Sequence, residues 1–223
     1  MRKHISTILL SIVILAGLSL LLYPTVSDYW NQFHQSQAIA GYVDKVNNVD
    51  KQTLEKLRED AKEYNKALLK NNDRYHMTDR QRKKYESLLN IAGNGVMGYV
   101  EIPSISVSLP IYHGTDQEVL QIGVGHIGGT SLPVGGKGTH CAISGHRGLT
   151  SSKLFTDIDQ MAEGDVFKLS VLGEILTYEV DQIRIVLPNE LNDLRIESDK
   201  DYCTLVTCTP YGVNSHRLLV RGH

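Results

Sequence analysis

The sequence predicts a mainly β protein, an antiparallel-rich barrel preceded by a polar helical region and an apolar N-terminal segment. Three observations carry this. From Ile5 to Tyr23 there is no charged residue. Leu54, Leu57, Ala61, Tyr64 and Leu68 then recur at spacings of three and four, one apolar stripe on an amphipathic helix. From Gly98 onward the pattern changes to short strand-like runs punctuated by Pro, Gly, Asn and Asp.

Each element can be justified in turn. The 19 residues from Ile5 to Tyr23 are broken only by Ser6, Thr7, Ser11 and Ser19 among polar residues. At about 1.5 Å per residue they nearly span a hydrocarbon core of about 30 Å. Arg2 and Lys3 precede them, which keeps the short N-terminal tail inside and turns the remainder outward. A cleavable signal peptide is the competing reading, but no Ala-x-Ala stands directly after Leu22, the first being Ala38-Ile39-Ala40 well beyond the apolar run. The stripe from Leu54 to Leu68 faces its own domain, with Glu55, Lys56, Glu59 and Lys62 on the charged side. Asn71, Asn72 and Asp73 end that helix. A second helix is expected from near Asp79 to Asn90, with Ile91 to Gly95 as a linker. Expected strands are Gly98 to Ile102, Ser106 to Ile111, His140 to Ser144, Val166 to Val171, Ile175 to Ile185 and Cys203 to Thr207. Glu118 to Ile122 reads as a short helix. The 223 residues suit one well-cored domain with appendages. A net charge of -2 gives no reason to expect a nucleic-acid partner. The basic run Arg80 to Lys84 reads as a solvated helix face.

The chemistry sits near the C-terminus. Cys208 precedes the turn signal Thr209-Pro210-Tyr211-Gly212, so it stands at a strand end where a substrate can reach it. An isolated cysteine is more often a buried small hydrophobe; the flanking turn favours a nucleophile, which must act as thiolate. His146 lies between Gly145 and Gly148, a tight turn that projects the ring. The other histidines considered, His113, His126, His140 and His216, are weaker candidates. His216 alternates to the strand face opposite Arg217. Arg217 opens a short apolar strand, and Arg221 on the same face is the runner-up. A thiol to attack an acyl group, an imidazole to move the leaving-group proton and a guanidinium to hold the oxyanion are the parts of a cysteine transpeptidase. Gly123 to Gly128 fits the dinucleotide fingerprint literally, but the following Gly129, Pro133, Gly135 and Gly136 deny it a helix. Neither Cys-x-x-Cys nor His-Glu-x-x-His occurs, so no zinc site is expected. Papain-like proteolysis places its Cys before its His; here His146 comes first.

TLVTCTPYGVNSHRLLVRG from Thr204 to Gly222 closely resembles the pilin-polymerising class C sortases of Gram-positive bacteria. So does the block from Gly98 to Leu149, with GYVEIPSISVSLPIYHGT and SLPVGGKGTHCAISGHRGL. The resemblance implies a closed sortase-type barrel of about eight strands with connecting helices, and His146, Cys208 and Arg217 as catalytic triad. It also implies a lid. Pilin sortases carry an Asp, usually Pro, then an aromatic between their N-terminal helices. By that match Asp73 reaches Arg217 and Tyr75 packs near Cys208, while Arg74 in the usual Pro position makes the lid less rigid. With the two strands parallel as in the sortase barrel, Cys141 and Cys203 are expected as neighbouring reduced thiols in the core.

The domain expectation is residues 1–4 as cytoplasmic tail, 5–23 as membrane signal-anchor, 24–95 as an extracellular helical region with the lid at 73–75, and 96–223 as the catalytic barrel. The implied activity is cleavage of an LPxTG-like sorting signal between Thr and Gly through a thioacyl-enzyme, then joining to a pilin lysine. The implied partners are pilin or surface proteins with such signals and the acceptor lysine. The membrane is engaged through the anchor in a single pass, and no cofactor is needed. The alternatives are a housekeeping sortase anchoring proteins to the cell wall, or a catalytically idle pilus-assembly chaperone.

Overall fold

A computed structural model describes residues 2–71 and 73–223; Asn72, one of the turn residues expected between the helices, lies outside them. Helix α1 (Arg2–Asn47) runs unbroken from the apolar segment onto the folded domain. Among the described residues it is the one helix long and apolar enough to cross a membrane, and the rest of the chain covers none of its apolar window. Beyond Tyr23, one side of α1 turns polar and docks. Asp28 accepts from the Lys153 backbone N–H at 2.9 Å, and Asn31 donates to the Ser151 carbonyl at 2.8 Å. Buried Tyr42 donates to the Met97 carbonyl and accepts from the Leu172 N–H.

Helix α2 (Lys51–Leu68) starts where Asp50 caps the Thr53 N–H. The expected apolar stripe faces the core: Ala61 and Leu68 are buried, and Leu54, Leu57 and Tyr64 pack against it. Asn65, on the same side, exchanges two hydrogen bonds with Leu132, from Nδ2 to its carbonyl and from its N–H to Oδ1. Helix α3 (Asp79–Ser87) begins with a reciprocal capping box of Thr78 and Gln81. It stops three residues short of the expected Asn90 because Leu88 and Leu89, 7% and 0% exposed, turn inward as core residues.

Eight strands follow: β1 (Val96–Ile102), β2 (Val107–His113), β3 (Val124–His126), β4 (Thr139–Ser144), β5 (Val166–Val171), β6 (Glu174–Val186), β7 (Asp201–Thr209) and β8 (His216–Gly222). Helix α4 (Gln117–Ile122) lies between β2 and β3. The strands close into a barrel in the order β1-β2-β3-β4-β7-β8-β6-β5. Two pairs are parallel, β2 with β3 and β4 with β7; the rest are antiparallel. The three-residue β3 was not anticipated. It falls inside the glycine run Gly123 to Gly128, too short to show alternation, and pairing with β2 and β4 makes it a strand.

Closure gives β4, β7 and β8 two differently used faces. Cys141, Ile143, Cys203, Leu205, Leu218 and Val220 join the main core inside the barrel. The alternate residues Ala142, Val206 and Leu219 form a second, smaller cluster with Val186 and Leu194 on the outside. Cys141 lies opposite Cys203 in the parallel β4–β7 register, and both thiols are free and buried. Burial pushes the Cys203 thiol well above its usual value.

His140 ties the outer face of β4 to its surroundings. Its ring is 1% exposed, with Nδ1 2.8 Å from the Arg195 carbonyl and Nε2 2.7 Å from Thr204 Oγ1. This is a neutral tautomer, donating at Nδ1 and accepting from the threonine at Nε2. Burial lowers its pKa to about 4. In the unfolded chain the same ring takes a proton near 6.5. Stability is therefore full above about 6.5 and is lost as pH falls toward about 4, by roughly 3 kcal/mol at most. The urea midpoint is expected to drop between pH 7.5 and 4.5, and His140→Gln to remove part of that drop while lowering the midpoint at pH 7.5.

Candidate active site

Strand pairing assembles the site. In the β4–β7 register Ser144 stands opposite Val206, so two residues further on each chain bring His146 alongside Cys208 on the outer face. In the antiparallel β7–β8 pair Cys208 stands directly opposite Arg217. Facing residues of such a pair place their Cβ atoms about 5 Å apart on one side of the sheet. His146, Cys208 and Arg217 accordingly line one cleft of about 380 Å³, with Tyr75, Ile127, Leu194 and Leu219 among its walls. The three sequence candidates thus share a single surface. Arg221 does not join them: its guanidinium forks onto Asp181 at 3.0 and 2.7 Å.

The turn carrying His146 is fixed on both sides. The Gly145 N–H bonds the Val206 carbonyl, and Thr207 Oγ1 donates to the Gly145 carbonyl at 2.7 Å. A Cβ on Gly145 would fall 2.7 Å from the Phe155 ring and 2.9 Å from Val124, so only glycine lets the chain pass. The Phe155 N–H then bonds the His146 carbonyl at 3.1 Å. Nε2 of His146 is buried and has no hydrogen-bond partner among the described residues. Burial also lowers the ring below its ordinary value. An imidazole so placed is free at Nε2 to meet a proton of a bound substrate, and releases it readily. Arg217 turns Nη1 to the carbonyls of Asn214 and His216.

Next to His146, Arg147 links three segments. It forms an ion pair with Asp159, donates to Thr209 Oγ1 at 3.3 Å, and lies 5.9 Å from the Tyr211 ring centroid. Nothing local signals this role, since Asp159 lies 12 and Thr209 62 residues away along the chain.

The segment between α2 and α3 reaches the cleft through Tyr75, but its expected ion pair is not formed. Asp73 is 77% exposed and bonds His76 Nδ1 at 2.6 Å, and among the described residues no ion pair joins it to Arg217. His76, three residues along the chain, engages it instead. Arg74 has the opposite effect to a loosening one. Its Nη2 donates at 2.8 Å to both the Leu194 carbonyl and the Tyr75 hydroxyl, and the guanidinium lies 4.9 Å from the Tyr75 ring centroid. Gly128, the last residue of the misleading fingerprint, and Gly129 after it form the seat. A Cβ on Gly129 would sit 2.5 Å from the Arg74 carbonyl oxygen and 2.9 Å from the Tyr75 ring.

Residues 100–223 match the sortase domain family. This chain belongs to the sortase family. Sortases are cysteine transpeptidases, and structural similarity narrows the comparison to class C. The crystal structure of sortase C1 from Streptococcus agalactiae is 53% identical, with a TM-score of 0.81 over 84% of this chain and 97% of that one. Sortase C of Clostridium perfringens, solved with the C-terminal cell wall sorting motif, is 45% identical, with a TM-score of 0.73 over 84% of this chain and 97% of that one. Sortase A of Streptococcus agalactiae serotype III (strain NEM316) is 26% identical over 205 residues, covering 91% of this chain and 77% of that protein. Sortase D of Bacillus subtilis (strain 168) is 31% identical over 114 residues, 51% of this chain, and the match spans 54%, about half, of that protein.

If Arg74 holds the segment over the cleft of this sortase, Arg74→Ala should speed alkylation of Cys208 at fixed pH. A lost charge-assisted hydrogen bond of about 1.5–3 kcal/mol corresponds to a rise of roughly tenfold to a hundredfold if opening limits access. Asp73→Ala should leave the rate close to wild type. Timed alkylation followed by intact-mass measurement checks both.

Proposed function

We propose that this protein is a pilin-polymerising sortase whose catalytic residues are Cys208, His146 and Arg217. The observation that carries the reading is the register: Cys208 opposite Arg217, with His146 beside them over one cleft. The Cys208 thiolate attacks the Thr–Gly carbonyl of an LPxTG-like sorting signal. Arg217 stabilises the oxyanion, and His146 protonates the leaving amine. The thioacyl-enzyme keeps the segment ending in Thr and releases the remainder. A lysine ε-amine of another pilin then attacks, loses a proton to His146, and expels the thiolate with formation of an isopeptide bond.

The Tyr75 segment packed at the cleft supports the pilin class over a housekeeping sortase. So does the higher identity to the class C structures, 53% and 45% over 84% of the chain, against 26% over 91% for the streptococcal sortase A. The proposed placement follows the apolar segment: residues 5–23 anchor the chain in the cell membrane, residues 1–4 stay cytoplasmic, and residues 24–95 and 96–223 lie outside as helical region and catalytic barrel.

The test incubates the protein with a sorting-signal substrate and either a pilin bearing lysines or a cell-wall-type amine, then identifies the linkage by mass spectrometry. A lysine isopeptide bond is expected. Exclusive transfer to the cell-wall amine would favour the housekeeping reading. Cys208→Ala should abolish the thioacyl adduct, and activity surviving it would sink the mechanism. Arg217→Lys keeps the charge but loses the planar fork, so kcat should fall by about 10²–10³.

A further inference from the structure

Past the apolar segment, α1 has two opposed faces. Asp28, Asn31, Gln35 and Tyr42 follow one side of the helix and bond the barrel. At 100° per residue the other side carries Val26, Tyr29, Trp30 and Phe33, directly continuous with Leu22 and Tyr23. These side chains are bare: Tyr29 is 75% exposed, Trp30 62% and Phe33 50%. His34 stacks edge-on against both Trp30 and Phe33, at 4.9 and 5.8 Å between centroids.

A helix face left to water ordinarily carries charge. In α2 of the same chain it does, with Glu55, Lys56, Glu59 and Lys62. In α1, from Pro24 to Val43, the one Asp, Glu, Lys or Arg is Asp28, and it is turned onto the barrel. The outward face is therefore apolar and aromatic without any charge, a composition suited to the boundary between headgroups and acyl chains. Position agrees. Trp30 lies seven residues beyond Tyr23, about 10 Å along the axis. The headgroup layer on one side is roughly 5–7 Å deep. Helical side chains lean toward the N-terminus, here back toward the span. A tilt of about 20°, ordinary for such helices, lowers one face further.

We propose that Tyr29, Trp30 and Phe33 form an interfacial contact with the lipid bilayer, so that α1 leans with its aromatic face down and carries the barrel on its upper side. This rests on the reading of residues 5–23 as a membrane anchor. The contact fixes the height of the site. Asp28 and Asn31, on the same turns as the aromatics, hold Ser151 and Lys153, and that loop continues to Phe155 and its bond to His146. The catalytic turn is thereby held close to the membrane surface.

Trp30 is the single tryptophan of the chain, so its fluorescence reports this surface without labelling. The full chain is reconstituted into phosphatidylcholine–phosphatidylglycerol vesicles, and retention after carbonate washing is scored first. Expected is emission blue-shifted from N-acetyltryptophanamide in water, weak quenching by aqueous iodide, and quenching by brominated lipids that is strongest when bromine lies near the headgroup end of the acyl chain. Tyr29→Ser with Phe33→Ser should weaken the lipid quenching while carbonate retention persists. A retained chain whose Trp30 emits as in water and is fully open to iodide overturns the proposal and leaves the anchor standing. A blue shift that ignores brominated lipid and grows with protein-to-lipid ratio overturns it in favour of a second copy covering the stripe. A chain washed out by carbonate defeats the anchor reading and the proposal with it.

Discussion

The pairing of β7 with β4 on one side and β8 on the other is the constraint on which the site depends. β7 is parallel to one neighbour and antiparallel to the other. The parallel pair lets two chains end at the same edge of the barrel, so a residue just past β4 and one at the end of β7 meet. The antiparallel pair brings the first residues of β8 back to that edge. A one-residue slip in either register would send one of the three side chains into the barrel interior, because strand faces alternate. The buried partners Cys141–Cys203, Ile143–Leu205 and Leu205–Val220 hold those registers. Core packing on the inner face thus sets alignment on the outer one.

The barrel interior and the cleft are built with different priorities. Inside, the main cluster is apolar and close to fully covered. Outside, a small cluster of Ala142, Val186, Leu194, Val206 and Leu219 adjoins the cleft lined by His146, Cys208 and Arg217, and polar side chains are tied down individually. His140 takes the Arg195 carbonyl and Thr204, Arg221 takes Asp181, and Arg147 takes Asp159 and Thr209. Each engaged group is removed from competition at the site. His146 Nε2 is buried without a partner among the described residues, as are Arg147 Nε and Ser170 Oγ, and of these three residues only His146 stands beside Cys208 in the cleft. An unsatisfied buried nitrogen costs stability, and such a cost is tolerated where a substrate is to supply the partner.

The helical region is fastened to the barrel at both ends of the cleft. The far side of α1 grips the loop after His146, and the Arg74–Tyr75 segment closes on the Leu194 carbonyl. Helix α1 and the segment over the cleft are thus each tied by hydrogen bonds to a different wall of the site.

Much of this was legible in the chain itself. The apolar stretch to Tyr23, the stripe from Leu54 to Leu68 and the alternating runs from Gly98 declare a period, and period is a local property. That Cys208, His146 and Arg217 come together at one cleft was expected because each stands beside a turn signal or at a strand end, and because their surroundings match a family. Most of what escaped had no local signature, the Asp73–His76 contact being the exception. β3 is a strand only because β2 and β4 flank it. Asp73 was expected to cross the cleft, and a histidine three residues away took it first. Arg74, expected to loosen its segment, fastens it, since its acceptor at Leu194 lies 120 residues away. The sequence by itself determined which segments bury a face and which residues have the chemistry to act. Only the tertiary structure decided which polar groups pair, because a hydrogen bond selects among neighbours that folding alone brings within reach.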